Sequence, residues 1–434
     1  MTRRRLLAGA TIAALALVLA GGAHGCETLH PDPAWRAALA RPVPGAATVQ
    51  VVPAMRWGKR FQVAPPCQQV SDLASTPSGL VVAASRDALG EDGAGLYRWT
   101  PRRGLWELVR WDGQGFLRVH AYGDTLLVPD ADAPFSFGRF VFDWDVDGYV
   151  FASRPDGTLD RDARELLPAV YHVFDVARLP DGRAVASTGA YDPARVPYFD
   201  GPAPAALFVD DGPGRPWRRA LVWPSAQAAG VHRFTYLLAL PDGALLAGVE
   251  APSGYGVARI DDPLGCAVVT RASGAEGFVL RFALRGDRVL CITQGASGAR
   301  LHASRDGGRS FEAVANAPPD AQSVAVTDAG LFLLAGGALW HERGDVFTRV
   351  TAAHPSLAHA PSSLVSAPLV VHEGSLWAAS PRTGEVFEAV ADGDEGDQPC
   401  CSQVAQWRMP RFFVGRGLLW PQEIVLADRR GIGQ

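Results

Sequence analysis

Lysine is almost missing from this 434-residue sequence: Lys59 is the single one, and arginine supplies every other fixed positive side-chain charge. The formal net charge is −4 and no long basic tract interrupts it, so neither nucleic acid nor an anionic membrane surface is an implied partner. No CxxC pair, HExxH, GxSxG, Walker or dinucleotide fingerprint occurs. Redox, zinc-protease, serine-hydrolase and nucleotide chemistries therefore have no motif behind them. Cysteine is sparse, with six in the chain, and no tyrosine follows Tyr255.

What is present points to strands. The chain is 48% hydrophobic and holds 47 glycines and 33 prolines, enough apolar surface for a large core and many breakers for a helical one. Short Val, Leu, Phe and Trp runs alternate with turn residues, the pattern of many short strands.

The stretch SRDGGRSF, Ser304 to Phe311, follows Leu301 so that ten residues separate the leucine from the aromatic. The same spacing joins Leu96 to Trp106 and Leu207 to Trp217, and looser copies run from Leu339 to Phe347 and from Leu376 to Phe387. Each copy reads as a β-hairpin. A strand leads into a turn held by Asp or Ser/Thr side chains on backbone N–H groups, with a glycine at positive φ and an aromatic packed back under the turn. A second hairpin type precedes it in several units: Asp181-Gly182, Asp242-Gly243, Gly123-Asp124 and Gly286-Asp287 each separate two apolar runs.

Two hairpins make a four-stranded meander, and the meanders recur at the period of a β-propeller blade. Blades are expected to begin near Val70, Phe116, Val170, Val231, Phe278, Ser323 and Leu364. The fold expected is all-β, one propeller of seven blades, or six if the short last one completes the first. Residues 67–401 form the propeller, 26–66 a lipidated N-terminus and Pro/Ala-rich tether, and 402–434 a C-terminal extension packed on the ring.

SRDGGRSF resembles the Asp-box of sialidases and of the wider bacterial neuraminidase-repeat family, through Ser304, Asp306, Gly308, Ser310 and Phe311. The resemblance implies a structural turn on the periphery of a propeller. It does not extend to the sialidase active site. That family places a nucleophilic tyrosine after its last box, where this chain has none, and opens with an arginine in an Arg-Ile/Leu-Pro setting. The nearest candidate here is Met55-Arg56-Trp57, so sialidase activity is not expected.

Residues 1–25 read as an export signal: Arg3, Arg4 and Arg5, an apolar run from Leu6 to Ala20, then small residues before Cys26. Cys26 resembles the lipidated cysteine of bacterial lipoproteins, although Ala23 stands where the lipobox has leucine. The resemblance implies a cell-envelope protein held at the membrane by an N-terminal lipid, with plain secretion as the alternative. Five other cysteines remain, an odd number. In an oxidising compartment Cys67 can pair with Cys400 or Cys401 and tie the ends of the propeller, or these thiols stay unpaired.

Two constellations bear on ligands. Asp143, Asp145 and Asp147 have the spacing that begins a calcium loop, yet Phe151 and Arg154 occupy the positions where integrin-type and EF-hand loops are completed. A solvated acidic turn is the other reading. His172 and His232 start two consecutive inner strands. With Asp175 and His120 they would gather at the channel mouth as ligands to a metal ion or as acid/base groups, or stand as surface or hydrogen-bonded histidines.

The expected function is a binding or scaffolding module of the cell envelope that presents one face of a rigid ring to a glycan, peptide or protein. The alternative is a propeller hydrolase or lyase acting on a polysaccharide or small ester, with His172, Asp175 and His232 in the channel.

Overall fold

Apolar residues on both faces of short strands can be satisfied only when each sheet is stacked between two others. The computed structural model has that arrangement. It describes residues 55–62, 68–86, 95–100, 105–111, 116, 118–123, 125–130, 149–153, 159–160, 173–189, 205–210, 217–222, 233–251, 254–264, 269–344, 346–358 and 366–391. They form seven four-stranded antiparallel sheets, the blades of one β-propeller.

The first strand, β1 (Met55–Gln62), belongs to the last blade. Blade 1 is β2 (Gln68–Thr76), β3 (Gly79–Arg86), β4 (Gly95–Thr100) and β5 (Leu105–Trp111); blade 2 is β6 (His120–Tyr122), β7 (Thr125–Asp130), β8 (Tyr149–Ser153) and β9 (Leu159–Asp160). Blade 3 is β10 (Val173–Arg178), β11 (Ala184–Thr188), β12 (Ala206–Val209) and β13 (Arg218–Val222); blade 4 is β14 (Arg233–Ala239), β15 (Leu245–Ala251), β16 (Gly254–Ile260) and β17 (Val269–Glu276). Blade 5 is β18 (Phe278–Arg285), β19 (Arg288–Gly295), β20 (Gly298–Ser304) and β21 (Glu312–Ala313); blade 6 is β22 (Ala321–Thr327), β23 (Gly330–Ala335), β24 (Ala338–Arg343) and β25 (Val346–Arg349). Blade 7 takes β26 (Leu369–His372), β27 (Ser375–Ala379) and β28 (Glu385–Ala391) from one end of the propeller sequence and β1 from the other.

β1 pairs antiparallel with β28 from Met55–Ala391 to Gln62–Glu385. Lys59 reaches Glu385 at 2.8 Å and Arg60 reaches Glu388 at 2.9 Å, and the Trp57 indole donates to the Gly337 carbonyl in blade 6 at 3.2 Å. The part of the expected tether from Met55 to Gln62 is thus strand, and the ring begins there and not at Cys67. Its alternating Met55, Trp57 and Phe61 are buried, which is why this stretch pairs with β28. Seven blades also replace the six-blade alternative, because the short last unit is completed by β1 and does not merge with blade 1.

The two hairpin types separate by position. The Asp-Gly and Gly-Asp turns join inner to second strands in blades 2 to 5. In blades 3 and 4 the turn is built the same way: the Leu179 and Leu240 N–H groups donate to Arg183 and Ala244 carbonyls, each at 2.8 Å, while Asp181 and Asp242 accept from the N–H two residues on. Gly182 and Gly243 close them at φ 92 and 88, where a side chain would be strained. The leucine-to-aromatic frame joins third to outer strands in blades 1, 3, 5 and 6. In blade 7 it falls between second and third strands, since the outer strand comes from β1.

Burial lies between blades. Every residue of β11 and β23 is buried, and Phe234, Leu238, Phe282, Ile292 and Leu333 pack in one continuous inter-blade cluster. Strand alternation gives the ring two unlike faces. Turns between inner and second strands lie on one face and are short; the ends of the second strands and the starts of the third lie on the other, the long-connection face, separated in sequence by positions 87–94, 131–148 and 190–204 in blades 1 to 3. The inner strands of blades 3 and 4 begin at that same face, at Val173 and Arg233.

Several sequence expectations fall outside the described residues: the export signal and Cys26, the acidic run at Asp143, Asp145 and Asp147, His172 and His232, Cys67, Cys400 and Cys401, and segment 402–434.

Candidate functional site

The inner strands of blades 1, 3, 4, 5 and 6 each carry a β-bulge, at Val70/Asp72, Val173/Asp175, Phe234/Leu237, Val279/Arg281 and Ala321/Ser323. A bulge re-aims one side chain. Here the re-aimed position holds Asp72, Asp175, Tyr236, Arg281 and Ser323, and Arg118 stands five residues before its turn glycine in blade 2, as Arg281 does in blade 5.

These positions latch successive blades. Asp72 of blade 1 accepts the Val119 N–H of blade 2 at 3.2 Å, Asp175 of blade 3 accepts the Leu237 N–H of blade 4 at 2.9 Å, and Ser323 of blade 6 accepts the Leu369 N–H of blade 7 at 3.1 Å. The bulged side chain of one blade therefore satisfies a backbone donor of the next, a requirement of every buried N–H.

Charges meet on the same frame. His120 Nε2 lies 2.5 Å and Arg118 Nε 3.6 Å from Asp175 Oδ1, which also accepts the Val176 N–H at 2.9 Å. The Arg118 guanidinium lies 4.2 Å from the centre of the Tyr236 ring, within cation–π range. Arg281 of blade 5 reaches Asp72 of blade 1 at 3.3 Å, linking non-adjacent blades. Two guanidiniums face two carboxylates, so these fixed charges balance. Burial pulls the Arg281 pKa below its ordinary value, and Asp72, then Asp175, pull it back.

The cluster is closed. Arg118, Asp72, Asp175 and Tyr236 are 0% exposed, His120 1% and Arg281 2%. A His–Asp pair can act as a general base; this one is buried. Asp175 and His120 meet on the inner strands of blades 3 and 2, while His172 and His232 lie outside the described residues. Asp72, Arg118, Tyr236 and Arg281 were not singled out by sequence reasoning. Their signal is register: Arg118 and Arg281 precede Gly123 and Gly286 by five residues, and Asp175 and Tyr236 precede Gly182 and Gly243 by seven.

The Ser304–Phe311 turn lies far out on blade 5, between its third and outer strands. Asp306 Oδ1 accepts the N–H groups of Arg309 at 2.9 Å and Ser310 at 3.0 Å and the Ser304 hydroxyl at 2.7 Å, while Oδ2 accepts the Ser310 hydroxyl at 2.6 Å. Burial alone would raise the Asp306 pKa, but these donors hold it far below the usual carboxylate range. Ser304 Oγ accepts the Gly308 N–H at 2.8 Å, and Phe311 is buried beneath. The turn docks on blade 4. Phe311 N–H donates to Ser273 O at 2.8 Å, Ser273 N–H to Arg309 O at 3.2 Å, and Arg259 binds the Gly307 carbonyl together with Asp261 at 2.7 Å and Asp242 at 2.8 Å.

Among the described residues no group of three or more His, Cys, Asp or Glu is placed to hold a metal ion. Cys291 is a free, buried thiol whose pKa burial pushes well up.

No protein-family model matches the chain, and no curated protein sequence matches it. Among solved structures it is similar to a protein assigned as a gluconolactonase, at 11% identity over 80% of this chain and 97% of that one, with a TM-score of 0.43. It is also similar to a protein assigned as a 6-phosphogluconolactonase from Bacteroides uniformis (13% identity, 64% and 82% coverage, TM-score 0.41). A third is a puromycin-hydrolyzing peptidase of Mycobacterium tuberculosis (15% identity, 80% of this chain and 56% of that one, TM-score 0.48). At such scores none of these likenesses bears on chemistry here.

Proposed function

We propose that the protein is an exported, lipid-anchored β-propeller that acts as a binding or scaffolding module at the cell envelope, with the long-connection face as its ligand face. The observation behind this reading is the closed ion cluster on the inner strands. Groups that in an enzyme would face substrate, His120, Asp175, Arg118 and Arg281, are at most 2% exposed and engage one another. In this reading they stiffen a ring, and recognition falls to the connections between its strands, the usual location of binding on a rigid scaffold. A glycan, peptide or envelope protein is the class of ligand. In this reading the Asp-box resemblance of Ser304–Phe311 stands for a peripheral strut.

A test is binding of the full chain to arrayed envelope glycans and to cross-linkable envelope proteins, repeated after replacing 131–148 and 190–204 with short Gly/Ser linkers. Loss of a bound ligand in the replaced chain, with thermal stability kept, supports the reading. Unchanged binding sinks it.

One contact favours a second reading. The 2.5 Å His120–Asp175 pair is the partnership a hydrolase or lyase uses to move a proton. It would need a route for substrate into the ring, with His172 and His232 completing the site. Turnover of a lactone, ester or polysaccharide that disappears in a folded His120→Asn variant would establish it.

A further inference from the structure

The tight-turn face carries a cavity of about 270 Å³ lined by Arg285, Asp287, Arg288 and Arg305. Its walls come from two turns of one blade. Arg285 and Arg288 flank the Gly286-Asp287 turn between β18 and β19, and Arg305 stands in the turn that follows β20. All three arginines reach the same side of the ring because both turns close strands that run toward it.

A single carboxylate arranges two of them. Glu342 of blade 6, whose side chain is 4% exposed, pairs with Arg285 through Oε2 and with Arg288 through Oε1, the latter at 3.3 Å. Three guanidiniums meet two carboxylates, Glu342 behind and Asp287 in the wall, so one positive charge is in excess. Arg288 keeps a buried Nε–H without an acceptor among the described residues, while Arg285 stays 39% and Arg288 23% exposed. Guanidiniums fixed in this way present planar pairs of donors, the geometry that suits phosphate oxygens.

We infer that this cavity is an anion site for a phosphate carried on a small polar group. The volume exceeds what a bare phosphate fills and falls just below the range of ordinary small-molecule pockets. A basic pocket of this size is compatible with a chain whose net charge is −4, because recognition depends on the local field and not on the total.

Two sources can supply that chemistry: a soluble phosphate monoester or the headgroup of an anionic lipid. The lipid source draws on the proposed anchor. β1 begins at Met55, which pairs with Ala391 at the end of β28, so the N-terminal end of β1 is on the tight-turn face. An anchored ring would turn this cavity toward the membrane and the long connections away from it. The soluble source does not depend on the anchor.

The experiment is a calorimetric titration of the purified full chain with glycerol 3-phosphate, on the wild type, Arg305→Gln and Arg288→Gln. Flotation on phosphatidylglycerol and phosphatidylcholine vesicles accompanies it. Saturable binding that weakens about tenfold or more in both variants, and with rising salt, is expected. Arg305 is exposed, so Arg305→Gln separates loss of binding from loss of fold, checked by an unchanged thermal midpoint. Flotation that requires phosphatidylglycerol and falls in Arg305→Gln assigns a lipid headgroup; titration without lipid preference assigns a soluble phosphate. Absence of saturable binding at millimolar glycerol 3-phosphate, or binding that both variants retain, overturns the site. Failure of the ligand-face reading would leave this titration untouched, since the two lie on opposite faces.

Discussion

His120 Nε2 sits 2.5 Å from Asp175 Oδ1, joining the inner strands of blades 2 and 3 where both side chains are at most 1% exposed. Asp175 also takes the Leu237 N–H from blade 4 and lies near Arg118. One carboxylate thus holds three consecutive blades. Asp175→Asn leaves Arg118 buried beside a neutral amide, and breaking a buried pair in this way costs about 3–5 kcal/mol. Equilibrium denaturation should show that loss, and a double cycle with Arg118→Met should recover part of it. A cost below about 1 kcal/mol would mean that the cluster does not brace the ring.

Stability is expected to fall as the pH drops below about 6.5. His302 and His372 have pKa values below the ordinary 6.5, chiefly through burial; Arg300 lowers His302 further, while Glu373 and Glu388 partly restore His372. In this window the unfolded chain takes up protons that the folded one resists, so the folded state is fully favoured above pH 6.5 and loses ground below it. Melting temperatures of His302→Gln and His372→Gln across pH 5 to 7 should be flatter than those of the wild type.

Asp306 adds a second acid step. Its folded pKa is depressed below 3.8 by four donors, so its contribution persists at neutral pH and is lost as the pH falls below about 4. Asp306→Asn should lose that acid-dependent part while its destabilisation at pH 7 stays near 1–2 kcal/mol, as expected for an exposed hydrogen-bonded turn.

Three glycines form a graded series. At Gly243 a new Cβ meets nothing within 4 Å, so Gly243→Ala carries only the strain of its φ of 88, roughly 1–2 kcal/mol. At Gly308 the Cβ would lie 2.6 Å from Leu246 of blade 4, and at Gly274 2.0 Å from the Phe311 carbonyl oxygen. Denaturation midpoints should fall in the order Gly243→Ala, Gly308→Ala, Gly274→Ala, because a side-chain tip can move and a backbone carbonyl between packed blades cannot.

Removing β1 should open the ring. A chain beginning at residue 63 leaves β28 as an unpaired edge and uncovers Phe387 and Val386, now buried, a surface that invites association. Loss of a single cooperative unfolding transition, or aggregation on refolding, is the expected result.

Much of the architecture was legible in particular residues. The Asp-Gly hairpins at Asp181 and Asp242, and the leucine-to-aromatic spacing, are local signals, because a tight turn must carry its own glycine and side-chain acceptor. The closure by Met55–Gln62 was not legible, since its partner β28 lies some 330 positions away and strand pairing leaves no mark on spacing. The buried cluster of the inner strands was only partly legible. Asp175 and His120 stand out as polar residues in apolar runs, whereas Asp72 and Arg281 come together only when the ring closes, 209 residues apart.

The most direct test of the account is turnover on a panel of lactones, esters, peptides and polysaccharides, measured for the wild type and a folded His120→Asn variant side by side. No turnover that depends on His120 is expected. Hydrolysis by the wild type that vanishes in the variant would contradict it and place catalysis on the His120–Asp175 pair.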